Sequence, residues 1–135
     1  MIYTSYFDKL EAFPKDAVPI SICITPPEWY SGLEYKKLAP KPAFFKQWKI
    51  NHDNNYYITN FNEQVLSNLD ATSVCSDINR IASLYIRSLP ADDIRHQYFE
   101  IILLCYEEPI EFCHRHLVSK WLREHGIDAD ELKLD

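Results

Sequence analysis

Five consecutive residues, Ile101-Ile102-Leu103-Leu104-Cys105, restrict what this chain can become more than any other stretch, because no position among them is polar. A strand with one face in water alternates apolar and polar side chains, whereas a strand without a polar position is covered on both faces. Covering both faces takes helices above and below the sheet, and this predicts an α/β fold with a mostly parallel sheet joined by right-handed crossovers. The strand reads as residues 99–106, and two further strands read as 2–7 and 18–24. At 135 residues the chain suits one domain, 1–135, large enough to build a core without disulfides or a structural metal.

Helical spacing fills the rest. Asp70 is placed to cap a helix that carries Val74, Ile78, Ile81 and Tyr85 on one stripe and stops before Pro90. Residues 58–69 read as helical, although Tyr56-Tyr57-Ile58 suits a short strand equally well. The last helix is expected to start at Pro109, to bury Ile110, Cys113, His114, Leu117, Val118, Trp121 and Leu122, and to end at Gly126. The acidic residues 128–135 read as a loosely held tail.

Composition excludes several function classes. With glycine at only two positions, Gly32 and Gly126, neither a dinucleotide fingerprint nor a phosphate-cradling loop can be written. A net charge of -6 repels polyanions over most of the surface, which disfavours nucleic acid as a partner except through a local patch. No apolar run approaches the length of a membrane span, and the amino terminus lacks the pattern of a secretory leader. The four cysteines are therefore expected as reduced thiols in a cytoplasm.

Ligands of open parallel sheets sit beyond the carboxyl ends of the strands. There the strand ending at Cys105 leads into Tyr106 and Glu107, and the next helix is expected to return with Cys113 and His114 on its inward stripe. A thiol, an imidazole and the Glu107 carboxylate would converge, with Cys105 lining the same volume and Arg115 beside them. The same types also make an ordinary core, since cysteine packs as a small hydrophobe and Arg115 has Glu111 one turn away. A metal is not expected, because adjacent helical positions diverge by about 100° and seldom grip one ion. Cys113, placed past the first helical turn, would also miss the strongest part of the helix dipole. A second candidate lies between Glu28 and Lys49, where five lysines face two glutamates and six aromatics interleave. Flat rings stack on bases and lysines attract phosphates, so Trp29, Tyr30, Tyr35, Lys36 and Lys37 read as a ligand-facing loop. They also suit an ordinary packed loop with solvated lysines.

These blocks resemble the bacterial and phage family called domain of unknown function 488. The likeness rests on Leu103-Leu104-Cys105-Tyr106-Glu107, on Cys113-His114-Arg115 with Leu117, Trp121 and Leu122, and on the run from Trp29 to Pro40. It implies a Rossmann-like domain and brings no settled activity. Many members begin with a strand ending in Gly-His-Ser, where this chain has Thr4-Ser5-Tyr6, so one catalytic histidine is missing. The interval 83–97 also reads as longer than usual.

Together these features lead to an expected site for a nucleotide-like or nucleoside-derived anionic small molecule at the carboxyl edge of the sheet, needing no cofactor. Trp29, Tyr30 and Tyr35 would contact a ring, Lys36, Lys37 and Arg115 would meet anionic groups, and Glu107 would take hydroxyls. If the chain is an enzyme, Cys113 is the nucleophile of a transfer or hydrolysis, with His114 or Glu107 carrying the proton. The alternatives are a protein that sequesters a nucleotide signal and an interaction module using the lysine-aromatic loop alone.

Overall fold

In the computed structural model, residues 1–106 and 112–134 are described. Five parallel strands form one sheet: β1 (Ile2–Tyr6), β2 (Ala17–Ser21), β3 (Leu33–Glu34), β4 (Glu100–Cys105) and β5 (Ala129–Glu131), in the order β3-β2-β4-β1-β5. β4 is central, pairing with β2 on one side and β1 on the other, and Ile101 through Cys105 are all buried. Four α-helices pack against it: α1 (Pro42–Asn51), α2 (Asn54–Gln64), α3 (Ala71–Arg87) and α4 (His114–Glu124).

The direction of each crossover decides which face a connection covers. From β1 to β2 and from β2 to β3 the chain steps toward one edge of the sheet; from β3 to β4 and from β4 to β5 it steps toward the other. Crossovers between parallel strands keep one hand, so opposite steps run over opposite faces. All four α-helices belong to the second kind of step. Their residues Phe44, Phe61, Ile78, Val118 and Leu122 share one core with Val18, Ile20, Ile101 and Leu103. The other face, with Ala17, Ile102 and Leu104, receives a 3-10 turn carrying Phe7 and the loop carrying Tyr30. The expectation of a parallel sheet flanked by helices holds, with α-helices on one face and a 3-10 helix on the other, because connections of about ten residues leave no room for an α-helix of ordinary length.

Other boundaries also differ. α3 begins as expected, with the Asp70 carboxylate accepting from the Ser73 N–H at 2.9 Å. The ambiguous stretch resolves as α2, begun four residues early because Asp53 caps it. α1 lies within what reads as loop, started by Pro42 and held by Phe44 against Tyr57. The expected loose tail instead contributes β5, whose Ala129 is buried. Pro19 sits inside β2 without breaking it, since β3 reaches only Ile20 and Ser21 and leaves the outer side of Pro19 without a strand to bond.

Among the described residues no helix is long and apolar enough to cross a membrane.

Candidate functional site

β4 occupies a topological switch point. Its own connection runs over the helical face, while those leaving its neighbours β1 and β2 run over the other, so the carboxyl end of β4 opens between diverging connections. Cys105 ends β4 there, and the chain returns at Cys113. α4 starts at His114 rather than Pro109, with Cys113 as its N-cap in extended backbone (φ -152°, ψ 143°). Two expectations fall with that shift. Cys113 sits at the positive end of the helix dipole and not beyond it, and Cys113 and His114 are not successive helical positions.

The two sulfur atoms meet. Cys105 and Cys113 are joined as a disulfide with Cα atoms 7.2 Å apart, where reduced thiols were expected, because strand end and helix cap bring both side chains to one point. His114 is buried, and its Nε2 lies 2.7 Å from the Ile22 carbonyl oxygen, which can only accept. Nε2 therefore carries the proton and Nδ1 presents a lone pair, 3.9 Å from Cys113 Sγ. Burial pushes the imidazole down to about 4, aided by the neighbouring Arg115 and His116 and opposed by the Ile22 hydrogen bond. The ring is thus neutral near pH 7. Cys105 Sγ, Cys113 Sγ and a His114 ring nitrogen all lie within 4.8 Å of one another.

Arg115 is fully buried and serves the fold. Its Nε and Nη2 donate to the two Glu131 carboxylate oxygens at 3.0 and 3.1 Å, its Nη1 donates to Cys105 Sγ at 3.3 Å, and its plane lies over the Tyr6 ring. Thr4 donates to the same carboxylate at 2.7 Å. This fork ties α4 to β5 and β1, so the guanidinium expected to meet a ligand anion is occupied by Glu131. Glu107 lies outside the described residues.

The lysine-aromatic block divides. Tyr35 is a core residue whose hydroxyl donates to Asp77 at 2.7 Å; burial and that carboxylate push the phenol upward and keep it protonated. It is closed to a ligand ring. Lys36 donates to the Ile24 carbonyl and pairs with Glu34, and Lys37 pairs with Asp77. Neither is brought to the thiols. Trp29 and Tyr30 do form a wall. Trp29 is 61% exposed, and both rings pack edge-on against Phe7, which shares a cluster with Cys105 and Cys113. Tyr30 donates to the Leu33 carbonyl at 2.7 Å, and its ring would lie 2.7 Å from a Cβ at Gly32, so a side chain at position 32 would displace the Tyr30 ring.

Behind that wall is a hollow of about 800 Å³, floored by Ala17 and Pro19 where β3 stops short. Tyr85, Lys15, Asp92 and Arg95 form its far side. Arg95 is held by Asp93 through contacts of 2.9 and 3.0 Å. The hollow is lined by Leu10, Phe13 and Tyr30 from one face and by Tyr85 of α3 from the other, and not by Cys105, Cys113 or His114. The single site expected at the carboxyl edge is therefore two places: the sulfurs and His114 lie at that edge, whereas the hollow is lined by the segments entering β2, β3 and β4, at their amino ends. Pattern reading misses Lys15 and Asp92, whose only signal is position beside chain turns, and assigns Tyr85 to the stripe of its helix rather than to a site.

Residues 14–126 match a family model, DUF488-N3a, described as the active DUF488-N3 subclade. The chain belongs to the DUF488-N3a family. The match spans β2 through α4 and so includes the hollow's lining apart from Leu10 and Phe13, and the Cys105–Arg115 region of this DUF488-N3a protein, while β1 and the Glu131 partner lie outside it. No curated protein and no solved structure matches the chain.

Proposed function

We propose that this DUF488-N3a domain is a cytoplasmic binding protein for a flat-ringed, nucleotide-like or nucleoside-derived anionic small molecule. The observation that carries this is the hollow of about 800 Å³ with an exposed indole at its wall. A base would stack on Trp29 beside Tyr30, whose phenol burial keeps protonated and whose hydroxyl is held on the Leu33 carbonyl. Lys15 on the rim offers positive charge to an anionic group, and Asp92 offers acceptors to sugar hydroxyls. Titrating purified protein with nucleoside mono- and diphosphates should quench Trp29 fluorescence. Trp29→Ala should weaken binding at least about 5-fold, the lower end of what one base-aromatic stack contributes. Equal affinity in the variant would remove the hollow as the binding place.

Catalysis is a second reading, favoured by the N-cap position of Cys113 and by the family's description as active. Reduced Cys113 would then attack, with the proton passing to His114 Nδ1 or to Glu107. Cys113→Ser should abolish turnover and spare binding; turnover that survives in the variant would dismiss the nucleophile.

A further inference from the structure

We infer that Cys105, Cys113 and His114 together hold a thiophilic divalent cation, zinc above all, once the two cysteines are reduced. This goes beyond the binding function proposed above, and it gives Cys113 Sγ to ligation instead of attack.

The donor set suits the ion. Two thiolates and one imidazole nitrogen are soft-to-borderline ligands, and three protein donors with a fourth position open are the pattern of reactive zinc sites. All three donor atoms lie within 4.8 Å of one another. Cys113 Sγ and His114 Nδ1, 3.9 Å apart, stand near the spacing of two ligands around an ion with bonds of about 2.3 and 2.0–2.1 Å. The objection from helix geometry disappears because Cys113 is extended. The Cα separation of 7.2 Å exceeds the about 4.4–6.8 Å usual for a disulfide, so once reduced the two thiolates can part around an ion without the backbone first moving apart.

Independent features surround these donors as they surround metal ligands. His114 Nε2–H is fixed on the Ile22 carbonyl at 2.7 Å, so the ring is oriented and Nδ1 is the nitrogen with a lone pair to give. Arg115 Nη1 donates to Cys105 Sγ at 3.3 Å, which steadies negative charge on that sulfur. Cys105 and Cys113 belong to different elements, a strand end and a helix cap, and so are positioned without any flexible loop supplying both.

Loading balances as follows. A low-molecular-weight dithiol gives two electrons to the Cys105–Cys113 bond and closes into its own cyclic disulfide, leaving two cysteine thiols. The cation then replaces both thiol protons, which leave to solvent. A low-molecular-weight disulfide, taking two electrons from the two thiolates and leaving as its dithiol, restores the Cys105–Cys113 bond and expels the ion.

The test titrates full-length protein with Co²⁺ alone, as a spectroscopic stand-in for zinc, after dithiol reduction and removal of the reductant. One ion per chain is expected, with tetrahedral ligand-field bands and thiolate-to-cobalt charge transfer displaced by Zn²⁺. The disulfide form should take up none. Cys113→Ser and Cys105→Ser should lose the charge-transfer intensity step by step, and His114→Gln should weaken the site by at least about tenfold. Reduced wild-type protein that binds no more Co²⁺ than the disulfide form would overturn the assignment, and this comparison needs no variant to fold. Charge transfer undiminished in a Cys113→Ser protein with native circular dichroism would overturn it too. No organic ligand enters the assay, so its failure leaves the Trp29 hollow untouched.

Discussion

Replacing Arg115 with Leu is expected to cost about 3–5 kcal/mol of folding stability, the usual penalty for breaking a buried ion pair by removing one partner. The guanidinium is wholly buried and fills three roles at once. It forks onto Glu131, donates to Cys105 Sγ and stacks over Tyr6. Its loss leaves the Glu131 carboxylate with Thr4 alone among these partners and leaves α4 tied to β5 only through such contacts as Ser119 with Ala129 and Arg123 with Asp130. Urea unfolding followed by circular dichroism should show the midpoint falling with the slope nearly unchanged. Glu131→Gln should be comparably costly, because it keeps an acceptor for one arm of the fork but leaves the wholly buried guanidinium without its counter-charge. Were Arg115 instead a ligand contact, Arg115→Leu would fold with wild-type stability and lose only affinity.

Acidification supplies the second large effect. The His114 imidazole titrates at about 4 in the folded chain against an ordinary 6.5, so the unfolded chain holds more protons between those values. Stability must then fall as pH is lowered through that window. It is fully present above 6.5 and diminished by about 3 kcal/mol near pH 4, since each tenfold difference in proton affinity between the folded and unfolded chain is worth about 1.4 kcal/mol. The Asp93 carboxyl, held at about 2 by Arg95, and the lowered Asp70 and Asp77 carboxyls respond in a different range. Their contribution is present above about 4 and is lost only below it. Thermal melts of the disulfide form in chelator, from about pH 7 to about pH 4.5, isolate the histidine. His114→Gln should flatten the slope across that interval. An unchanged slope would mean that another group supplies it.

How far the sequence carries the fold depends on segment length and on what each residue must touch. β4 is legible because burial on both faces leaves it no polar position, and α3 because its stripe repeats over four turns from a capping aspartate. β3 and β5, two and three residues long, are too short to show a period. α1 carries a readable mark in Pro42 followed by Phe44 and Trp48, but interleaved lysines make it resemble a solvated loop. The start of α4 is misplaced because the apolar stripe of that helix can be extended backward through Cys113, and spacing does not register that Cys113 has strand-like backbone. Site chemistry follows the same division. The convergence of Cys105, Cys113, His114 and Arg115 is readable from one strand end and one helix start. The Glu131 partner of Arg115 is not, since it lies sixteen residues on, in a strand with no pattern. Tyr35, Lys36 and Lys37 find protein partners that no local rule assigns.

The uneven clothing of the sheet has a dynamic consequence. Every α-helix is stacked on one side, so the opposite side can breathe by lifting one short turn and one loop while the main core stays intact. Reductants approaching the sulfurs past Phe7 would enter from that side. Access to the sulfurs would thereby be separated from global unfolding.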